Sequence, residues 1–219
     1  MIATTLTRER VPLKGGGSAL SYEWEGEPVA VRDDALTVIR AIEALTDADD
    51  TPEGRFDRFT SLVFPDLRGA FCACDFDPAS FARMCDAVAW DVCGLDLSGE
   101  RACEEPVWDL EEDADRIRTS FRQAYGLDWD EARGRISFAE FVALVGGCPY
   151  ETPLGRAIYY RTPSTRPKRT KHNRKEVEEW ERLHRAYALH RGQGSRQSRK
   201  GQDDTAMRDA FAALKRAAR

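Results

Sequence analysis

The chain has 219 residues, 42% hydrophobic and 32% charged, with a net charge of −5. That length suffices for one domain with a sizeable core, or for a domain plus appendages. The absence of any run of about 18 apolar residues argues against a membrane span. The first residues lack an apolar stretch behind a basic start, so no secretory signal is expected and the cytosol in which the chain is made is the expected location. Charge is segregated: residues 1–150 carry 15 basic and 30 acidic side chains, residues 151–219 carry 18 and 8. Such a division fits two surfaces for different partners, internal docking, or simply two solvated faces.

Residues 1–19 show no periodicity and are expected to be a flexible arm; the glycines after Lys14 lack the Gly-Lys-Ser/Thr of a phosphate loop. Leu20, Tyr22 and Trp24 alternate up to Glu25-Gly26, and Glu27–Arg32 follows, which predicts a short β-hairpin leaning on helices. Asp33-Asp34 then caps a helix with Leu36, Ile39, Ile42 and Leu45 at three-residue steps. Thr51-Pro52-Glu53 starts another, with Phe56, Phe59 and Val63 inward and Pro65 closing it. A third runs from Pro78 to Cys93 and stops at Gly94. Within it Phe81, Met84, Cys85, Val88 and Val92 share helical spacing, so Cys85 reads as a small buried hydrophobe.

Asp109 and the acids behind it predict the start of the next helix, with Ala114, Ile117, Phe121 and Tyr125 on one face and Gly126 at its end. Ser137-Phe-Ala-Glu140 is a capping box for a helix carrying Phe138, Phe141, Val142 and Val145. Thr152-Pro153 opens a short helix toward Arg161. Pro163–Lys171 is a break, and Asn173 is placed to cap a helix with Val177, Trp180, Leu183 and Tyr187 at helical spacing. Residues 191–202 read as a flexible linker, and 203–219 as an amphipathic helix with Met207, Phe211, Leu214 and Ala218 on one face. That helix either folds back onto the chain's own core or binds a partner in trans. The fold class expected is mainly α: about six to eight helices in a domain spanning 20–190, with a short N-terminal β-hairpin.

Chemistry-bearing patterns are sparse. The six cysteines (72, 74, 85, 93, 103 and 148) lack zinc-knuckle spacing, and the three histidines lie far along the chain. The aspartates at 47–50 and at 75 and 77 fall short of a calcium loop. Neither a Gly-x-Ser-x-Gly elbow nor a His-Glu-x-x-His pair occurs, so no catalytic site, metal or cofactor is expected. Arg166, Lys168, Arg169, Lys171, Arg174 and Lys175 form a basic patch. It reads either as a solvated loop or as a phosphate-contacting segment, without interleaved aromatics or a recognition helix that would read bases.

Five segments carry a resemblance in their joint order and spacing. They are Asp113–Phe121, Tyr125-Gly-Leu-Asp128, Phe138–Leu144, Thr152–Arg161 and, at the end of a charged helix, Arg185-Ala-Tyr-Ala-Leu189. The stretch Tyr22–Val31 adds to them. Together they resemble the bacteriophage family named after gene product fifteen, over roughly residues 20–190. The resemblance implies a tail assembly chaperone of long-tailed, non-contractile phages. Its implied client is the tape measure protein, with a neighbouring tail assembly chaperone as a further partner. On that reading Trp180, Tyr187, Met207, Phe211 and Leu214 are the candidate partner-binding residues, although core packing is the first expectation for Trp180 and Tyr187. A nucleic-acid-binding phage protein and a structural tail subunit are the alternatives.

Overall fold

Alternation around a two-residue turn gives the hairpin its shape: β2 (Ser18–Trp24) pairs antiparallel with β3 (Glu27–Val31), Leu20 opposite Val31 and Trp24 opposite Glu27. Glu25 and Gly26 both take positive φ, 51° and 92°, the mirror-image turn that matches strand twist. The computed structural model describes residues 8–14, 16–97 and 106–190. They fall into two compact units, one formed by residues 8–97 and 133–141, the other by 106–132 and 142–190.

In the first unit the sheet gains a third strand, β1 (Arg10–Pro12), beside β2, where the sequence reading placed a flexible arm. Three residues carry no periodicity to detect; a charge fork holds them instead. The Arg10 guanidinium donates at 3.0 and 2.8 Å to both carboxylate oxygens of buried Asp33, and its Nε donates to Ser18 Oγ at 2.8 Å. Pro12 sits on the edge strand, where its missing N–H costs no ladder bond.

Two capped helices follow. Asp34 accepts from Thr37 N to start α1 (Ala35–Thr46), and Thr51 accepts from Gly54 N to start α2 (Pro52–Val63). The two pack on each other, and the buried stripe of α1 is Ala35, Val38, Ala41, Ala44 and Leu45. Small side chains allow the axes to approach, so Leu36, Ile39 and Ile42 flank the interface half-buried rather than fill it. Phe56, Phe59 and Val63 of α2 are buried as their spacing predicts.

A short helix, α3 (Leu67–Cys72), is capped by Asp66 and has no counterpart in the sequence reading. α4 (Pro78–Val88), capped by Asp77, buries Phe81, Met84, Cys85 and Val88. It continues as a wider π-turn over Ala89–Cys93 and ends at Gly94 with φ 70°. Phe81 lies at the centre of an aromatic group with Phe56, Phe64 and Phe71, at centroid distances of 6.4, 5.8 and 5.4 Å. Residues 133–138 return to the start of α1: Phe138 N donates to Asp33 O at 2.7 Å and Ala35 N to Ile136 O at 2.9 Å.

The second unit is helical. α5 (Ala114–Tyr125) begins five residues later than the acidic run suggests. Asp109 Oδ1 instead accepts from the main-chain N–H groups of Glu111 and Glu112, making a turn ahead of the helix. Asp113 occupies the cap position without capping, because its carboxylate is drawn elsewhere. Gly126, φ 64°, ends α5, and α6 (Trp129–Ala132) is a single turn, with the Trp129 ring edge-on to Phe121.

α7 (Phe138–Gly146) starts in the first unit on the predicted box, Glu140 N donating to Ser137 Oγ at 3.1 Å. α8 (Pro153–Arg161) is capped by Thr152. At Gly155 an added Cβ would lie 2.0 Å from the Pro149 carbonyl oxygen, so only glycine permits this approach. Leu154 N donates to the buried Ser120 Oγ at 2.9 Å, tying α8 to α5. α9 (Arg174–Tyr187) buries Val177 and Trp180. Asn173 precedes it but does not cap it with its side chain. Its amide accepts from Thr170 N and donates to Lys168 O, so it organises the preceding loop. Among the described residues no helix is long and apolar enough to cross a membrane.

Candidate functional site

α8 ends in two tyrosines and an arginine, and each faces different chemistry. Arg161 turns inward. Its Nη1 and Nη2 donate to Asp113 Oδ2 and Oδ1 at 2.5 and 3.1 Å, Nη1 also to Val107 O, and Nε to Tyr187 O at 2.5 Å. Burial alone would raise the Asp113 carboxyl. The Arg161 hydrogen bonds, the Asp109 N–H and Arg116 outweigh it and hold the group below its ordinary value. The fork therefore fixes the end of α8 against the start of α5 and the last turn of α9.

Tyr159 and Tyr160 point into a different neighbourhood. Tyr150, from the loop before α8, meets Tyr159 edge-on at 5.0 Å and Tyr160 at 6.3 Å, and its hydroxyl lies 3.0 Å from that of Tyr160. Tyr160 stacks flat on Tyr187 at 5.7 Å and tilts toward Trp180 at 6.5 Å. Trp180 in turn stacks on His184 at 4.8 Å, and His184 Nδ1 lies 2.6 Å from the Tyr160 carbonyl oxygen. The Tyr150 hydrogen bond, burial and nearby negative charge push the Tyr160 phenol up to about 12.

These rings line an open groove of about 310 Å³, bounded by Tyr150, Tyr159, Tyr160, Pro167 and Trp180 and, on α9, by Glu176 and Glu179. Its outer rings are well exposed, Tyr150 at 44% and Tyr159 at 36%. The Arg156 guanidinium already lies over the Tyr150 ring, 5.6 Å from its centre. The groove thus combines π faces, a proline and carboxylates. Among the described residues no group of three or more His, Cys, Asp or Glu side chains could hold a metal.

The candidate residues from the sequence divide accordingly. Trp180 is buried and forms the groove's inner wall, while half-buried Tyr187 backs Tyr160. Met207, Phe211 and Leu214 lie outside the described residues, as do the linker and terminal helix expected over 191–219. Two members of the basic patch pair with acids of α9, Arg166 with Glu181 and Arg174 with Glu178 at 2.6 Å, while Lys168, Arg169, Lys171 and Lys175 are exposed. Sequence reasoning missed Tyr150, Tyr159, Tyr160, Pro167, Glu176 and Glu179 as one surface. The available signal was the adjacent tyrosine pair on a helix whose buried face is Leu154, Ala157 and Arg161.

The sequence profile of the family Bacteriophage Gp15 protein matches residues 19–189, most of the chain. The chain belongs to this bacteriophage family. The matched span takes in β2 from Ala19, β3, all nine α-helices among the described residues and every residue lining the groove. No curated protein and no solved structure matches the chain.

Proposed function

We propose that this phage protein is a non-enzymatic tail assembly factor that holds the tape measure protein soluble until the tail tube closes around it. The observation that carries this reading is the family match over residues 19–189. A very long helical client exposes apolar stripes before assembly and would aggregate if left uncovered. A helical protein with an aromatic groove rimmed by charge is suited to cover such segments reversibly, without a cofactor. The aromatic and charged surface of α8 and α9 supports a binding role, because tyrosine and tryptophan give large contact area at low conformational cost.

Deletion of the gene tests the reading. An assembly factor predicts filled heads without tails, insoluble tape measure protein in the lysate, and no copies of this chain in purified wild-type virions. Stoichiometric copies in wild-type virions would identify a structural tail subunit instead.

A further inference from the structure

The groove between α8 and α9 has a more specific chemistry than an apolar patch. Its walls are the faces and edges of four aromatic rings, Tyr150, Tyr159, Tyr160 and Trp180. Its rim carries two carboxylates one helical turn apart on α9. Glu179 is shared with Arg182, at 2.6 Å, whereas Glu176 makes no ion pair with any described residue. A volume of about 310 Å³ is small for a helix and matches one long side chain with its flanking main chain.

Aromatic faces attract a cation that is only weakly hydrated, and a nearby carboxylate completes a planar, forked pairing that guanidinium satisfies better than ammonium. The molecule already sets a guanidinium over a tyrosine ring twice: Arg156 lies 5.6 Å from the centre of Tyr150, and Arg116 5.9 Å from the centre of Tyr187. Inside the groove the same carboxylates oppose a phosphate, even though the rings could stack on bases.

We propose that the groove of Tyr150, Tyr159, Tyr160, Trp180, Glu176 and Glu179 docks an arginine-bearing segment of the protein's assembly partner. The guanidinium lies against the tyrosine faces and pairs with Glu176, and the arginine stem packs on Pro167 and the ring edges. This rests on the assembly reading for the partner's identity alone; the arginine preference follows from the groove.

The test uses the full chain and a blocked Gly–Ser peptide carrying several arginines, with its glutamine counterpart. The readout is the indole N–H resonance of Trp180, assigned by its loss in Trp180→Phe. The arginine peptide should shift this resonance saturably and the glutamine peptide should not. The double substitution Glu176→Gln/Glu179→Gln should weaken binding by about fivefold or more. Should that pair disturb the free spectrum, Tyr159→Leu, at an exposed ring, serves as the second variant with the same expected loss. An unmoved resonance, equal response to both peptides, or undiminished binding by the variants overturns the proposal. Copurification with the tape measure protein separates the two readings. A complex that survives Glu176→Gln/Glu179→Gln undiminished overturns the groove and keeps the assembly role. Peptide binding through the groove without any such complex does the reverse.

Discussion

Asp113 and Arg161, 48 positions apart in sequence, form a two-pronged ion pair in which the carboxylate is fully buried and the guanidinium side chain is 6% exposed. Breaking one partner leaves the other charged and dry. Asp113→Asn or Arg161→Met is therefore expected to cost about 3–5 kcal/mol, with the double substitution less damaging than the sum of the two. Urea unfolding of the four proteins measures this coupling.

The same pair sets an acid sensitivity. The folded Asp113 carboxyl is held below its ordinary value, so the unfolded chain binds its proton first as pH falls. The stabilisation is complete above the unfolded carboxylate value of about 3.9. It declines as pH drops from there through the lower folded value. Thermal midpoints recorded on acidification should fall more steeply for the wild type than for Asp113→Asn.

Tyr160 predicts the alkaline counterpart. Its phenol is raised to about 12, first by the hydrogen bond with Tyr150. Unfolded tyrosines ionise near about 10, so this contribution is present below that pH and is lost as pH rises toward 12. Ultraviolet titration should show one tyrosine ionising well after the exposed ones, and Tyr150→Phe should bring it down.

The five described cysteines are free thiols in very different settings. Burial raises Cys93 to about 12 and Cys85 well above its ordinary value, whereas Cys72 is exposed. Brief iodoacetamide treatment of the native protein followed by mass spectrometry should label Cys72 and spare Cys85 and Cys93 until denaturant is added.

Gly155 illustrates a constraint that its helix cap makes unavoidable. Thr152 Oγ1 donates to the Pro149 carbonyl at 2.7 Å and accepts from Gly155 N, which brings that carbonyl to where a side chain would stand. Gly155→Ala should destabilise by about 2–4 kcal/mol although alanine is the better helix former. Chemical denaturation decides the sign.

Helices with a polar cap and a proline or glycine boundary were legible in the sequence: Asp34, Thr51 and Thr152 all cap as their residue types predict. Elements held by side-chain charge were not. β1 depends on Arg10 reaching Asp33, and Asp113 is diverted from its cap by Arg161, both long-range pairings that no local pattern announces. Packing also left Leu36, Ile39 and Ile42 of α1 half-buried, while Leu45 is buried as expected beside Val38 and three alanines, because close approach of two helices rewards small side chains. Trp180 and Tyr187 were visible as aromatic positions on α9, but the groove was not. Its other walls come from the loop before α8, the end of α8 and the extended segment after it, which helical spacing cannot bring together.

Co-expression with the tape measure protein of the same phage genome tests the central claim most directly. The long protein is expected to be insoluble alone and to elute as a soluble complex with this chain on size exclusion. A tape measure protein that stays insoluble while this chain elutes by itself would contradict it.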